Sequence, residues 1–139
     1  MGRQLLLATA LSVALLLAGC RADSVAAPPL TFVGRWNLRT VNTLPLPFVV
    51  QSAAPRVEVM DDQIIVTADG AFTETFSLRI TDGTLVSTSA GGDTGVITRV
   101  GSALSLSYAD GVLATGSLTA TTLTLFGQGF TQVFERSAP

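Results

Sequence analysis

What most constrains this chain is the rhythm of its turn residues. From Arg56 onward, short apolar-alternating segments are interrupted at Asp61-Asp62, Asp69-Gly70, Asp82-Gly83, Gly91-Gly92-Asp93, Gly101-Ser102, Asp110-Gly111, Ala120-Thr121 and Gly127-Gln128-Gly129. Asp-Gly pairs supply the positive φ values that tight hairpins require. A spacing of about 8 to 13 residues matches an antiparallel meander. The segments between the turns alternate with period two, as half-buried strands do. Phe72, Phe76, Leu78 and Ile80 oppose Thr73, Thr75, Ser77 and Arg79. Leu104, Leu106 and Tyr108 oppose Ser105 and Ser107, and Phe130 and Phe134 share a face with Gln132 and Arg136. No stretch sustains a helical period.

A run of hairpins with one apolar face each must bury that face. Curling the meander closed does so and removes both sheet edges. The expected fold is all-β: a small antiparallel up-and-down β-barrel of eight to ten short strands, five to nine residues each. A two-sheet sandwich is the alternative, disfavoured because no long crossover is present. The stretch 42–55 carries three prolines and the apolar residues Leu44, Leu46, Phe48, Val49 and Val50. Proline removes ladder donors, so no central strand is expected there. It is read as a plug closing one end of the core, or as a lid over the barrel mouth.

The beginning of the chain differs from all of this. Arg3 is followed by an almost unbroken apolar run from Leu5 to Leu17, then Ala18-Gly19-Cys20. A membrane helix needs about 20 residues, so the run is too short to span and reads as a secretory signal. Leu17-Ala18-Gly19-Cys20 resembles the lipobox of bacterial lipoproteins. The resemblance implies cleavage before Cys20 and acylation of its sulfur, a membrane anchor carrying palmitate-like chains. Cys20 is the only cysteine, so no disulfide can form within the chain. The expected organisation is a lipoprotein signal peptide at 1–19, a lipidated tether at 20–30 and the β-barrel domain at 31–139. The expected location is the cell envelope. Arg21 stands where an Asp would imply inner-membrane retention, so in a two-membrane organism the resemblance implies the outer membrane, facing the periplasm.

At the start of the barrel segment, Phe32, Gly34, Trp36 and Leu38 alternate with Val33, Arg35, Asn37 and Arg39. Gly34-Arg35-Trp36 resembles the Gly-x-Trp of the lipocalin-like, or calycin, barrels, and Val133-Phe134-Glu135-Arg136 resembles their last strand. This resemblance implies that Arg136 packs on Trp36, with Gly34, Trp36 and Arg136 forming the structural closure of the barrel.

The search for chemistry excludes more than it finds. Eight arginines face ten acids, with no lysine, no histidine and a net charge of −2. There is no basic stripe for nucleic acid. Without histidine there is no Ser-His-Asp or Cys-His system, and no metal site or cofactor motif is recognisable. The three Asp-Gly turns lack the oxygen spacing of a calcium loop. Asp61-Asp62 is read as a turn rather than a catalytic pair. Glu74 breaks the pattern by sharing the parity of Phe72 and Phe76; it reads as a strand-end carboxylate reaching solvent, or as a polar anchor in a cavity. No catalytic residues are assigned and an enzyme is not expected. The expected function is a membrane-anchored lipoprotein whose barrel binds a small apolar ligand through Phe72, Glu74, Phe76, Leu104, Leu106 and Tyr108. The alternative is an envelope protein-interaction or structural module with a solid core, including inhibitor-like roles.

Overall fold

The computed structural model describes residues 30–138. The expected signal peptide, Cys20 and the tether before Leu30 lie outside the described residues. Ten strands follow in chain order: β1 Gly34–Val41, β2 Leu44–Pro45, β3 Phe48–Gln51, β4 Arg56–Val66, β5 Ala71–Asp82, β6 Leu85–Val100, β7 Ala103–Tyr108, β8 Leu113–Leu118, β9 Thr122–Gly127 and β10 Phe130–Arg136. Each strand from β4 to β10 pairs antiparallel with the next, β10 pairs with β1, and β1 pairs with β4. Eight strands therefore close an up-and-down barrel. The first and last strands are neighbours, with Trp36 opposite Arg136 and Leu38 opposite Phe134, so the sandwich alternative does not hold.

Closure at the β1–β4 seam is only half a strand long: Gly34–Asn37 pair with Val66–Gln63. Beyond that the two strands diverge. Asn42 and Thr43, both at positive φ, form a tight turn into β2, which pairs back on β1. β3 pairs on β4. The proline-bearing stretch thus acts in part as a plug, since Leu46 and Phe48 pack onto the core, but it does so along the side of the barrel and not across its end. Its two short strands line the seam, because a two-residue and a four-residue strand each need only one hydrogen-bonded neighbour. Phe48 is buried against Phe130, ring to ring at 5.9 Å, while Leu44 is exposed.

β4, β5 and β6 run to 11, 12 and 16 residues, longer than expected. Two of the supposed turns lie inside them. Asp61-Asp62 follows a bulge in β4 between Val59 and Asp61, and neither aspartate has positive φ. Gly91-Gly92-Asp93 lies mid-strand in β6, opposite Phe76, Thr75 and Glu74. The reason is packing: Phe76 lies across Gly91 and Phe72 across Gly95, where a Cβ would come within 2.6 Å of the Phe72 ring. Glycine in a strand costs stability, which a cross-strand aromatic recovers by covering the bare backbone. The other six turns fall where the turn chemistry places them.

One end of the barrel is solid. Trp36, Ile64, Leu106, Leu123, Leu125 and Phe134 are fully buried there or just above it. Each such side chain contributes roughly 1.5–3 kcal/mol on burial. The Arg136 guanidinium lies 4.3 Å from the centre of the Trp36 ring system. Trp36 Nε1 donates to the Phe32 carbonyl at 2.8 Å, and Arg136 donates to the carbonyls of Val33, at 2.8 Å, and Thr31. Gly34 takes φ +129°, and a Cβ there would sit 3.2 Å from Arg136 Nη1. The Gly-x-Trp spacing thus lets the chain entering the barrel pass beneath the arginine. The ring, its core and this cap all lie between residues 30 and 138, a self-contained folding unit.

Candidate functional site

The other end is hollow. A cavity of about 360 Å³ lies between β3, β4, β5, β7 and β10, with its mouth among Val50, Asp110, Val112 and Gln128. Ligand pockets typically start near 300 Å³. Its wall is mainly apolar, supplied by Val59, Phe76, Leu78, Ala114 and Phe130.

Local sequence explains how polar groups reach this wall. In β4, Val59 faces inward opposite Leu78. The bulge then shifts the alternation by one residue. Asp61 turns outward and hydrogen-bonds the Ser77 hydroxyl at 2.6 Å, whereas Asp62 turns inward opposite Phe76. On β5, the unbroken alternation from Phe72 points Glu74, Phe76 and Leu78 inward. Tyr108 ends β7, its ring edge-on to Phe72 at 5.1 Å. Asp93 on β6 completes the acidic side of the lining.

Asp62 and Glu74 are only 6% and 8% exposed. Asp62 Oδ1 is buried and receives no hydrogen bond. The side chain that acts on it most is Glu74, also a carboxyl. Burial is the largest force on Asp62, and the Glu74 charge adds to it, pushing the Asp62 carboxyl up to about 9. Burial also raises Glu74, while the side chains of Asp62 and Tyr108 hydrogen-bond its charged form and offset part of that rise. Burial, and then the Glu74 charge, hold the Tyr108 phenol protonated far above its ordinary range. At neutral pH the Asp62 carboxyl keeps its proton. Among the described residues lining the cavity there is no arginine.

The structure brings Glu74, Phe76 and Tyr108 into the lining. Phe72, Leu104 and Leu106 sit below it, packed in the solid half. Glu74 does not reach solvent, because β5 runs eight residues past it beside β6, and it has no arginine partner. Gly34, Trp36 and Arg136 meet at the closed end; Cys20 lies outside the described residues. Phe130 lines the cavity on the inner parity it shares with Phe134, whereas Asp62 is a lining residue that strand parity alone does not identify. For Asp62 the obstacle is the bulge, which no alternation pattern announces. Glu58, buried on the outer wall, was also not singled out. Arg79 and Arg56 hold its carboxylate at 2.7 and 3.0 Å and keep it below the ordinary carboxylate range. No family model, no curated protein and no solved structure matches the chain.

Proposed function

We propose that this chain is a lipid-anchored envelope protein whose lipocalin-like barrel holds a small amphipathic molecule in its hollow half. The observation that carries the reading is the cavity of about 360 Å³ at one end of a barrel whose other end is filled. A chain needing only a stable scaffold gains by filling both ends, since voids cost stability. Water in a mainly apolar cavity is poorly hydrogen-bonded and is displaced favourably by an apolar group. Acylation at Cys20 places the protein in the envelope, on the outer membrane where there are two.

The test is thermal stability of residues 22–139 with a panel of octyl-chain probes. Saturable stabilisation that is lost in Phe76→Trp, which fills the cavity, supports the reading. No stabilisation by any probe overturns it. For the anchor, Cys20→Ala abolishes labelling of the full chain by a fatty-acid probe; labelling that survives contradicts acylation at Cys20.

One feature favours a protein partner as a second reading. Leu85 to Asp93 of β6 pairs with β5 on one side, but β7 pairs with β6 only from Gly95 onward. This leaves an unpaired strand edge bearing exposed Leu85 and Val86, the kind of edge to which an extended peptide adds. Val86→Lys would abolish capture of such a partner and leave octyl-probe binding intact.

A further inference from the structure

We propose that the cavity selects a small amphiphile with a cationic head, an alkyl- or arylalkylammonium, whose charge rests on the Asp62–Glu74 carboxyl pair. The inference deepens the ligand-binding reading and depends on it.

Three observations carry it. First, Asp62 lines the cavity, is 6% exposed and has an oxygen, Oδ1, that no donor of the protein reaches. A buried acceptor without a donor is costly, and native structures keep such groups where something else supplies the donor. Second, the charge around the cavity has one sign. Asp62, Glu74, Asp93 and Asp110 line it; Arg35 lies at the other end beside Arg136 and Ser137, and the other arginines of the barrel are engaged elsewhere. Arg56 and Arg79 bind Glu58 on the outer wall, Arg39 binds Glu135, and Arg99 and Arg136 donate to carbonyls at the solid end. Third, the remaining lining suits the body of such a molecule. Val59, Leu78 and Ala114 offer apolar contact, and the rings of Phe76, Tyr108 and Phe130 offer faces that attract an ammonium group. Among the described residues the carboxyls are not gathered into a group able to hold a metal ion. Together with the apolar wall, this favours an organic cation over a bare ion.

The empty site stabilises its own buried acids by keeping a proton between them. A cationic head takes that proton's place: Asp62 changes from carboxylic acid to carboxylate, the head group pairs with it, and one proton leaves to solvent. Binding therefore tightens as pH rises toward the titration of Asp62, near 9. The groups facing Asp62 are Glu74 from β5, Asp93 from β6, Tyr108 from β7 and Asp110 from the following turn. β3, β8, β9 and β10 place no titratable side chain in the lining, and Asp61 lies on the outer face. All the facing groups are acids, so none reverses the sign.

The experiment is isothermal titration of residues 22–139 with octylammonium, 1-octanol and octanoate, which share one apolar body. The primary ammonium brings N–H donors for Asp62 Oδ1 and, titrating at about 10.4 like a lysine, keeps its charge over the pH range used. The expected order at neutral pH is ammonium tighter than alcohol by about tenfold or more, with octanoate weakest. Glu74→Gln brings the ammonium down to the level of 1-octanol. From about pH 6 to about pH 9 the ammonium tightens by about a hundredfold or more in the parent protein, close to tenfold per pH unit for one released proton, and Asp62→Asn removes that dependence. Equal binding of ammonium and alcohol overturns the cationic-head claim and leaves the ligand-binding reading standing. So does a pH-independent affinity for the ammonium in the parent protein. Failure of all three probes to bind overturns the ligand-binding reading itself.

Discussion

The two ends of the barrel use the same strands for opposite purposes. At the Trp36 end, inward residues are large and apolar, and the half-buried Arg136 finds a ring face and two carbonyls. At the Asp62 end, the inward residues leave space, and two buried acids find chiefly each other. Filled and open interior are thereby separated along one axis. The solid half can specify the fold while the hollow half carries groups that a packed core would not tolerate. The difference arises from small local devices: a bulge that turns an aspartate inward, and glycines that let two aromatic rings lie flat on β6.

The sharpest way to test this contrast is to truncate one large ring at each end. Trp36→Ala should destabilise by about 3–5 kcal/mol, because it leaves a void beneath Arg136. Phe76→Ala should cost about 1 kcal/mol, since its ring already borders empty space. Urea denaturation of both variants measures the pair, and equal losses would break the comparison.

The next effect concerns β6. Gly95→Ala should cost about 2–3 kcal/mol, because its Cβ would meet both the Phe72 ring and the Ser107 carbonyl. Gly91→Ala should cost about 1 kcal/mol, because Phe76 can swing into the cavity. Thermal melts of the two variants should rank them in that order.

A smaller effect should appear in the pH dependence of stability. The Asp62 carboxyl titrates near 9 when folded, against an ordinary value of 3.8. Between those values the folded state binds a proton that the unfolded state has released. The contribution of Asp62 to stability is therefore greatest below its ordinary value and is lost as pH rises through 9. Asp62→Asn should flatten this fall and raise stability by roughly 1–3 kcal/mol at the alkaline end. A parent protein whose stability is level over that window would contradict the buried acid pair. Phe76→Trp should change stability least, by under about 1 kcal/mol, while abolishing octyl-probe binding.

The solid end was legible in the sequence because its signals are local and periodic. Gly34 and Trp36 sit two apart on an unbroken alternation, and Arg136 falls on the matching parity of the last strand. The hollow end was legible only in part. Glu74, Phe76 and Tyr108 lie on regular strands and could be assigned to the interior, but nothing in their spacing says how much of that interior is filled. Asp62 was hidden because the bulge before Asp61 resets parity, and adjacent aspartates look like a turn. Gly91-Gly92-Asp93 misled for the mirror reason: glycines that accommodate rings resemble glycines that reverse a chain. The proline-rich stretch was misread in part because short strands along a half-open seam carry too few residues to show a period.

The central claim is that only one end of this barrel is hollow. A crystal structure of residues 22–139 soaked with 1-bromooctane tests it most directly, because the bromine marks the chain by anomalous scattering. The account predicts a bromine site among Phe76, Tyr108 and Phe130 and none near Trp36. A filled core between Asp62 and Phe130 with no bromine site, or a site beneath Arg136, would contradict it.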